Sequence, residues 1–136
     1  MVSKVKGGIE LNNVSFRYDE KLPLILNKIS LKIRPEEYVA ITGKFGCGKS
    51  TLMRLLLGFE EPMSGVIYYN GNNIKTLDLR TLRSHIGCVI QNSMLFPGSI
   101  YSNIVISAPD LSEDDAWKAA EMAGIAEDIS KRKCTP

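Results

Sequence analysis

The stretch that decides the fold is Gly43-Lys-Phe-Gly-Cys-Gly-Lys-Ser50, which leads through Thr51 into an apolar run ending at Leu57 and Gly58. It fits G-x-x-x-x-G-K-[ST], a phosphate-loop pattern with a physical mechanism. Glycines at 43, 46 and 48 let the backbone turn tightly and aim successive N–H groups inward, and the helix that follows adds the partial positive charge of its N-terminus. The resulting pocket suits a polyphosphate. Lys49 reaches β- and γ-phosphate oxygens as a point charge, and the Ser50 hydroxyl completes the shell of a magnesium ion. The rival reading, a glycine-rich turn without a ligand, is disfavoured because the motif lies between an apolar strand and a helix. Kinases, GTPases and motor ATPases share the loop, so by itself it does not choose among them.

Working outward, Tyr38-Val-Ala-Ile-Thr42 is continuous and β-prone, as expected of a strand buried on both faces that feeds the loop. Ser50 to Leu57 is apolar nearly all round and stops at Gly58, which predicts a buried helix. Upstream, Ile9 and Leu11 alternate in one phase and Val14, Phe16 and Tyr18 in the other. That slip at Asn12-Asn13 predicts a strand with a bulge. Ile29, Leu31 and Ile33 form a second half-exposed strand ending at Pro35, and two such strands in succession predict an antiparallel layer. Downstream, Val66 to Tyr69 reads as a strand, Asn70-Gly71 as a type I′ hairpin turn, and Asp78 as the cap of a short helix through His85. Ile86 to Ile90 reads as a further apolar strand. Ser112 and Asp115 form a capping-box pattern opening a helix with Ala116, Ala119, Ala120 and Ala123 on one face.

The 136 residues suffice for one domain with a small core, and the 44% hydrophobic and 24% charged shares are those of a globular protein. A net charge of +2 with both signs interspersed produces no field of the kind that gathers nucleic acid, so no nucleic-acid partner is expected. Cys47, Cys88 and Cys134 are far apart and odd in number, which indicates neither a disulfide framework nor a zinc site. No stretch approaches the ~20 apolar residues that span a bilayer. The chain is therefore expected in the cytosol, on the cytoplasmic side of a membrane if a partner holds it there.

Two further segments, with the loop, carry a resemblance. Val14-Ser-Phe-Arg-Tyr18, and Ile86-Gly-Cys-Val-Ile-Gln-Asn-Ser-Met-Leu-Phe-Pro-Gly-Ser-Ile-Tyr-Ser-Asn-Ile104, resemble the nucleotide-binding domains of ATP-binding cassette (ABC) transporters of the exporter kind. The likeness extends to about Ser130. It implies that Tyr18 stacks on adenine, although a lone strand-end tyrosine more often packs on a core, and that Ile25 makes a second apolar contact to the base. It implies ATP and Mg2+ as ligands, with Gly43, Lys44, Phe45, Gly46, Cys47, Gly48, Lys49, Ser50 and Thr51 around the nucleotide. Lys49 and Gln91 would be catalytic, and Ser50 and Gln91 would hold the metal. The segment after Gln91 would contact the transmembrane domain of an exporter, and a second nucleotide-binding domain would complete a homodimer. At finer grain, Leu55 to Tyr69 and Leu111 to Ile129 look similar to the ATPase part of bacteriocin-type peptide exporters, which implies a peptide cargo.

The fold class implied is α/β, P-loop NTPase-like: an antiparallel β layer plus a partial parallel core sheet with helices, and the start of a helical subdomain. The core part would run over 8–110 and the helical part over 111–130, with Trp117 as a packing residue, before an atypical tail at 131–136. Three departures stand out. Phe45 replaces a small polar residue and places a ring beside the phosphates, which is expected to lower affinity. Glu36 follows Pro35 where the family has glycine, so a type I turn is expected instead of a type II turn with positive φ. The 136 residues contain no LSGGQ-like signature, no strand ending in Asp-Glu and no switch histidine, since His85 precedes Gln91. Slow turnover and an unpaired edge at the Tyr38 to Thr42 strand are therefore expected. The rival functions are a small P-loop kinase and an ATP-binding product without turnover.

Overall fold

The computed structural model describes residues 7–89 and 94–132, divided into two compact units, Met1–Gly87 and Cys88–Pro136. The first is built on a four-stranded antiparallel sheet in the order β2-β1-β3-β4, from β1 (Ile9–Phe16), β2 (Leu26–Ile33), β3 (Ser64–Tyr69) and β4 (Asn72–Asn73). The bulge in β1 is real, and its cause is the change of phase in the sequence. Leu11, Val14 and Phe16 are all buried, which a regular period of two cannot achieve across three intervening bonds. Asn13 adopts φ 49°, a left-handed value that asparagine tolerates, and the pairing with β2 jumps from Leu11 opposite Leu31 to Val14 opposite Ile29. Side-chain oxygens satisfy the displaced backbone: Asn13 N–H donates to Ser30 Oγ at 3.0 Å and Lys28 N–H to Ser15 Oγ at 2.9 Å.

The bulge also determines a neighbour. Gly65 in β3 lies at φ 81°, and a Cβ there would stand 2.4 Å from the carbonyl oxygens of both Asn12 and Asn13. Only glycine lets the two backbones approach this closely.

Helix α1 (Lys49–Leu56) presents Leu52, Leu55 and Leu56 to a core shared with Leu11, Val14, Phe16, Ile67 and Tyr69. Its other side, at Met53 and Arg54, is exposed, so the helix is amphipathic rather than apolar all round. Two side chains hold its C-terminal end. The Tyr69 hydroxyl donates to Leu56 O at 2.6 Å, and Arg83 donates from Nε to Leu57 O and from Nη2 to Gly58 O, both at 2.8 Å. The Arg83 guanidinium also lies 4.4 Å from the centre of the Phe59 ring. The Asn70-Gly71 turn has φ 49° and 80°, as a type I′ hairpin demands. Asp78 caps α2 (Leu79–Ser84) by accepting from Arg80 and Thr81 N–H groups.

The second unit holds α3 (Ile100–Ile104), α4 (Glu113–Met122) and α5 (Ala126–Arg132). Ser112 and Asp115 make the reciprocal capping box that opens α4. Ala116 and Ala120 are buried at i and i+4, whereas Ala119 and Ala123 are exposed, so the packed alanine stripe is narrower than the sequence pattern.

Three local expectations are corrected. Tyr38–Thr42 is not a buried strand: it forms no ladder and all five residues are exposed, Tyr38 fully. The run 86–89 likewise has no strand assignment, and Val89 is fully exposed. The physical reason is shared. A strand buried on both faces needs a ladder partner on each side, and among the described residues neither run has one. The third correction is at Glu36, whose φ of 64° gives the turn the positive third position of type II after all. Glu37 N–H closes that turn on Arg34 O at 3.2 Å, and the Glu37 carboxylate accepts from Arg34 N–H at 2.8 Å, which offsets the strain at Glu36.

Two stability tests follow from this packing. Gly65→Ala is expected to destabilise the fold by about 2 kcal/mol or more, since it combines left-handed strain with contact against two carbonyls. Gly71→Ala, at φ 80° with nothing within 4 Å, is expected to cost only about 1 kcal/mol; urea midpoints of the two variants measure the difference. Burial pushes the Tyr69 phenol from its ordinary 10.0 up to about 12. The folded state therefore keeps a proton that the unfolded state releases, so the contribution of Tyr69 to stability is constant below pH 10 and falls as pH rises from 10 through 12. Tyr69→Phe is expected to lower stability near neutrality by about 1 kcal/mol and to flatten this alkaline decline, as read by unfolding at stepped pH.

Candidate functional site

The phosphate-loop residues lead into the start of α1. Gly48 is the N-cap of α1, with φ 94° and ψ 8°, and no side chain caps the helix. The first N–H groups of α1 therefore point outward without an internal acceptor, as an anion site requires. Gly48 is buried against the β layer: a Cβ there would lie 2.9 Å from Ile25 Cγ2 and 3.1 Å from Leu26 Cδ2. Gly43 is also tightly placed, since a Cβ on it would meet Cys47 Sγ at 2.6 Å. Gly46, at φ 77°, faces open space.

Lys49 folds back over the loop. Its ammonium donates to Gly43 O at 2.8 Å and Lys44 O at 2.9 Å, and lies 3.6 Å from Cys47 Sγ. Inside the loop a cation is thus held at its centre by carbonyl dipoles, within reach of the uncapped helix start. Ser50 is exposed on the first turn of α1, while Thr51 beside it is buried. Lys44 and Cys47 are exposed, and the Phe45 ring is fully exposed, projecting from the loop into solvent.

The aromatic candidate lies next to the loop. Tyr18 OH is 3.3 Å from Thr51 Oγ1, and the ring meets Phe16 edge to face at 5.0 Å and 87°. It remains 52% exposed, so its surface is available for stacking rather than closed in the core. Ile25, half-buried, donates its N–H to Phe16 O at 2.9 Å and touches the position of the Gly48 Cβ. Tyr18, Ile25 and Gly43 through Thr51 therefore form one neighbourhood. Gln91 lies outside the described residues.

His85 is engaged in local structure: its Nδ1 lies 2.8 Å from Thr81 O at the end of α2, which calls for the Nδ1–H tautomer. Among the described residues no group of three or more His, Cys, Asp or Glu side chains could hold a metal ion. Ser50 offers a single exposed hydroxyl on the first turn of α1. No described helix is long and apolar enough to cross a membrane.

Sequence reasoning missed Asn103. Its carboxamide accepts from Phe96 N–H at 2.8 Å and donates to Phe96 O and Ser99 O at 3.0 Å each. It brackets the turn that follows Gln91 and presents Met94, Leu95 and Phe96 to solvent. The only available signal was an asparagine four residues after the α3 cap Ser99, which many surface asparagines share.

Comparison with known proteins agrees with this geometry. The family model described as ABC transporter matches residues 26–135. YgaD of Bacillus subtilis, provisionally named a multidrug export ATP-binding/permease protein, is 38% identical over 93% of the chain and 22% of its own length. The leukotoxin translocation ATP-binding protein LktB of Mannheimia haemolytica is 38% identical over 94% of the chain and 18% of its own length. The structure of a bacterial Atm1-family ABC exporter with ATP bound superposes with a TM-score of 0.88 at 35% identity, over 96% of this chain and 23% of that one. The chain thus spans about a fifth of the length of these relatives. The superposition bears out the α/β class. A phosphate loop seated on an antiparallel layer, a family match over most of the residues and the agreement in backbone lead to one conclusion: the chain belongs to the ABC transporter family.

Proposed function

We propose that this chain is the ATP-binding part of an exporter, taking Mg-ATP between the phosphate loop and Tyr18. The observation that carries the reading is the uncapped start of α1, with Lys49 held over it and Tyr18 beside it at Thr51. The triphosphate replaces the carbonyls as acceptor for the Lys49 ammonium, and the N–H groups of α1 face its β-phosphate. Adenine stacks on the open face of Tyr18, with Ile25 as the second apolar contact. Ser50 and Gln91 would hold magnesium, which would supply screening of the phosphate charge. Lys49 stabilises charge on the γ-phosphoryl group, and Gln91 positions the attacking water.

Export itself is part of the proposal. It is supported by relatives named for multidrug export and leukotoxin translocation. The segments Leu55 to Tyr69 and Leu111 to Ile129 favour a peptide as cargo. In this reading the transmembrane domain of the exporter holds the chain at the cytoplasmic side of the membrane. A second nucleotide-binding domain covers the γ-phosphate.

Titration calorimetry tests the site. Lys49→Ala is expected to weaken Mg-ATP by about 2 kcal/mol, roughly 30-fold, through loss of a charge-assisted contact. Unchanged affinity in Lys49→Ala would refute the site. Tyr18→Ala is expected to lose about 1 kcal/mol of stacking, while Tyr18→Trp retains affinity. A Tyr18→Ala protein that binds as tightly as wild type would return Tyr18 to the role of a packing residue.

A further inference from the structure

The tip of the hairpin between β3 and β4 holds Asn70, the only asparagine of the chain that is followed by glycine; the others precede Asn, Val, Lys, Ile or Ser. That difference is chemical. The main-chain nitrogen after an asparagine can attack the carboxamide carbon of that asparagine, and a Cβ on the following residue obstructs the approach. At Gly71 nothing stands within 4 Å of the position a Cβ would take, and Asn70 and Gly71 are both exposed. Among the described residues the Gly71 N–H has no hydrogen-bond acceptor, so no bond holds this nitrogen back.

The carboxamide is held ready on the other side. Asn70 Oδ1 accepts from Gly8 N–H at 3.0 Å, while Asn70 N–H donates to Gly8 O at 2.8 Å, a reciprocal pair that continues the ladder one step beyond Ile9 opposite Tyr69. The donor at Gly8 also settles which carboxamide atom is the oxygen. It stands on the atom where negative charge gathers when the carboxamide carbon is attacked. Nδ2, the leaving group, has no partner among the described residues. Other asparagines are engaged differently. Asn73 Oδ1 accepts from Lys75 N–H, and the Asn103 carboxamide is bonded through both its oxygen and its nitrogen. Each of these precedes a β-branched isoleucine that shields the nitrogen.

We propose that Asn70 is a self-modifying site of the folded protein, converted to aspartate and isoaspartate by its own neighbour Gly71 with the Gly8 N–H as activating donor. The bond from Gly71 N to Asn70 Cγ forms, the bond from Cγ to Nδ2 breaks, and the proton of the Gly71 N–H leaves with Nδ2 as ammonia. Water then opens the cyclic imide. Cleavage between Cγ and nitrogen gives aspartate, and cleavage between the main-chain carbonyl carbon and nitrogen gives isoaspartate, in which the chain runs through the side-chain carbon. Closure of the ring requires the tip to leave its type I′ angles, and β4 resists with two residues only, Asn72 opposite Tyr69 and Asn73 opposite Tyr68. The turn does not account for the carboxamide, since Asp-Gly meets the same requirement. The two products differ in consequence. Aspartate keeps the bond from Gly8 N–H and makes it charge-assisted, whereas isoaspartate adds a main-chain carbon beside Tyr69, whose hydroxyl holds Leu56 O at the end of α1. The site needs no nucleotide, so this inference does not depend on the proposed ATP site.

The full chain is aged in buffer at stepped pH, with circular dichroism showing that it stays folded, and sampled by peptide mass spectrometry. Isoaspartate is counted by methyl transfer from S-adenosylmethionine with an isoaspartyl methyltransferase. The expected result is an amide-to-acid mass gain at Asn70 ahead of every other asparagine, with ammonia released in equal amount, isoaspartate among the products and a rate that rises with pH. Gly71→Ala, which the turn tolerates, is expected to slow the reaction at least about tenfold, ~1.4 kcal/mol in barrier. Gly8→Pro, which removes the donor, is expected to slow it about fivefold, the worth of one neutral hydrogen bond. The isoaspartate form, separated by ion exchange, is expected to unfold at lower urea concentration than Asn70→Asp, which carries the charge without the extra carbon. No conversion over the time in which the free peptide Tyr68-Tyr-Asn-Gly-Asn-Asn73 is converted would overturn the proposal. So would first reaction at another asparagine, or a rate indifferent to Gly71→Ala or to Gly8→Pro. An isoaspartate form as stable as Asn70→Asp would overturn the consequence drawn for the sheet.

Discussion

The first unit depends on the contact between Gly48 and the β layer. At that point the chain must turn left-handed, begin a helix and lie against Ile25 and Leu26 with no room for a Cβ. If the contact is loosened, α1 loses its fixed start, the N–H groups that face an anion lose their direction, and Thr51 moves away from Tyr18. The glycine is therefore a packing requirement as much as a conformational one. It joins the part of the site proposed to face phosphate to the part proposed to face a base, and it ties the loop to the antiparallel layer.

Much of this was legible in the sequence because the signals were local. The loop pattern, the Asn70-Gly71 turn, the caps at Asp78 and Ser112 and the slip at Asn12-Asn13 each depend on a few neighbouring residues whose chemistry allows little else. The apolar runs at Tyr38–Thr42 and 86–89 were read as strands, which neither of them forms. Periodicity reports what a segment is suited to, whereas a ladder requires a neighbour, which a segment cannot supply for itself. Glu36 failed for the opposite reason. Local propensity opposed a positive φ there, and a closing hydrogen bond with the carboxylate of Glu37 on Arg34 overrode it.

The candidate site shows the same division. Lys49, Ser50 and the glycines were legible because their spacing is their mechanism. The place of Tyr18 was legible only through resemblance, since nothing in a strand-end tyrosine announces that its hydroxyl will meet Thr51 thirty-three residues later. Asn103 was illegible, because a carboxamide that accepts from one residue and donates to two carbonyls is defined by the turn it closes.

Arg83 carries a consequence for the energetics of α1. Its guanidinium lies on the carbonyls of Leu57 and Gly58, where the negative pole of the helix dipole emerges, and Arg54 adds a second cation in the last turn. The protein thus complements one pole of this helix from its own side chains, while the other has neither a side-chain cap nor an acidic residue in its first turn. An eight-residue helix with one pole uncompensated is a thermodynamic linkage device. Whatever negative charge settles at Gly48 completes the helix, so ligand affinity and the folding free energy of the first unit are coupled, and each is a measure of the other.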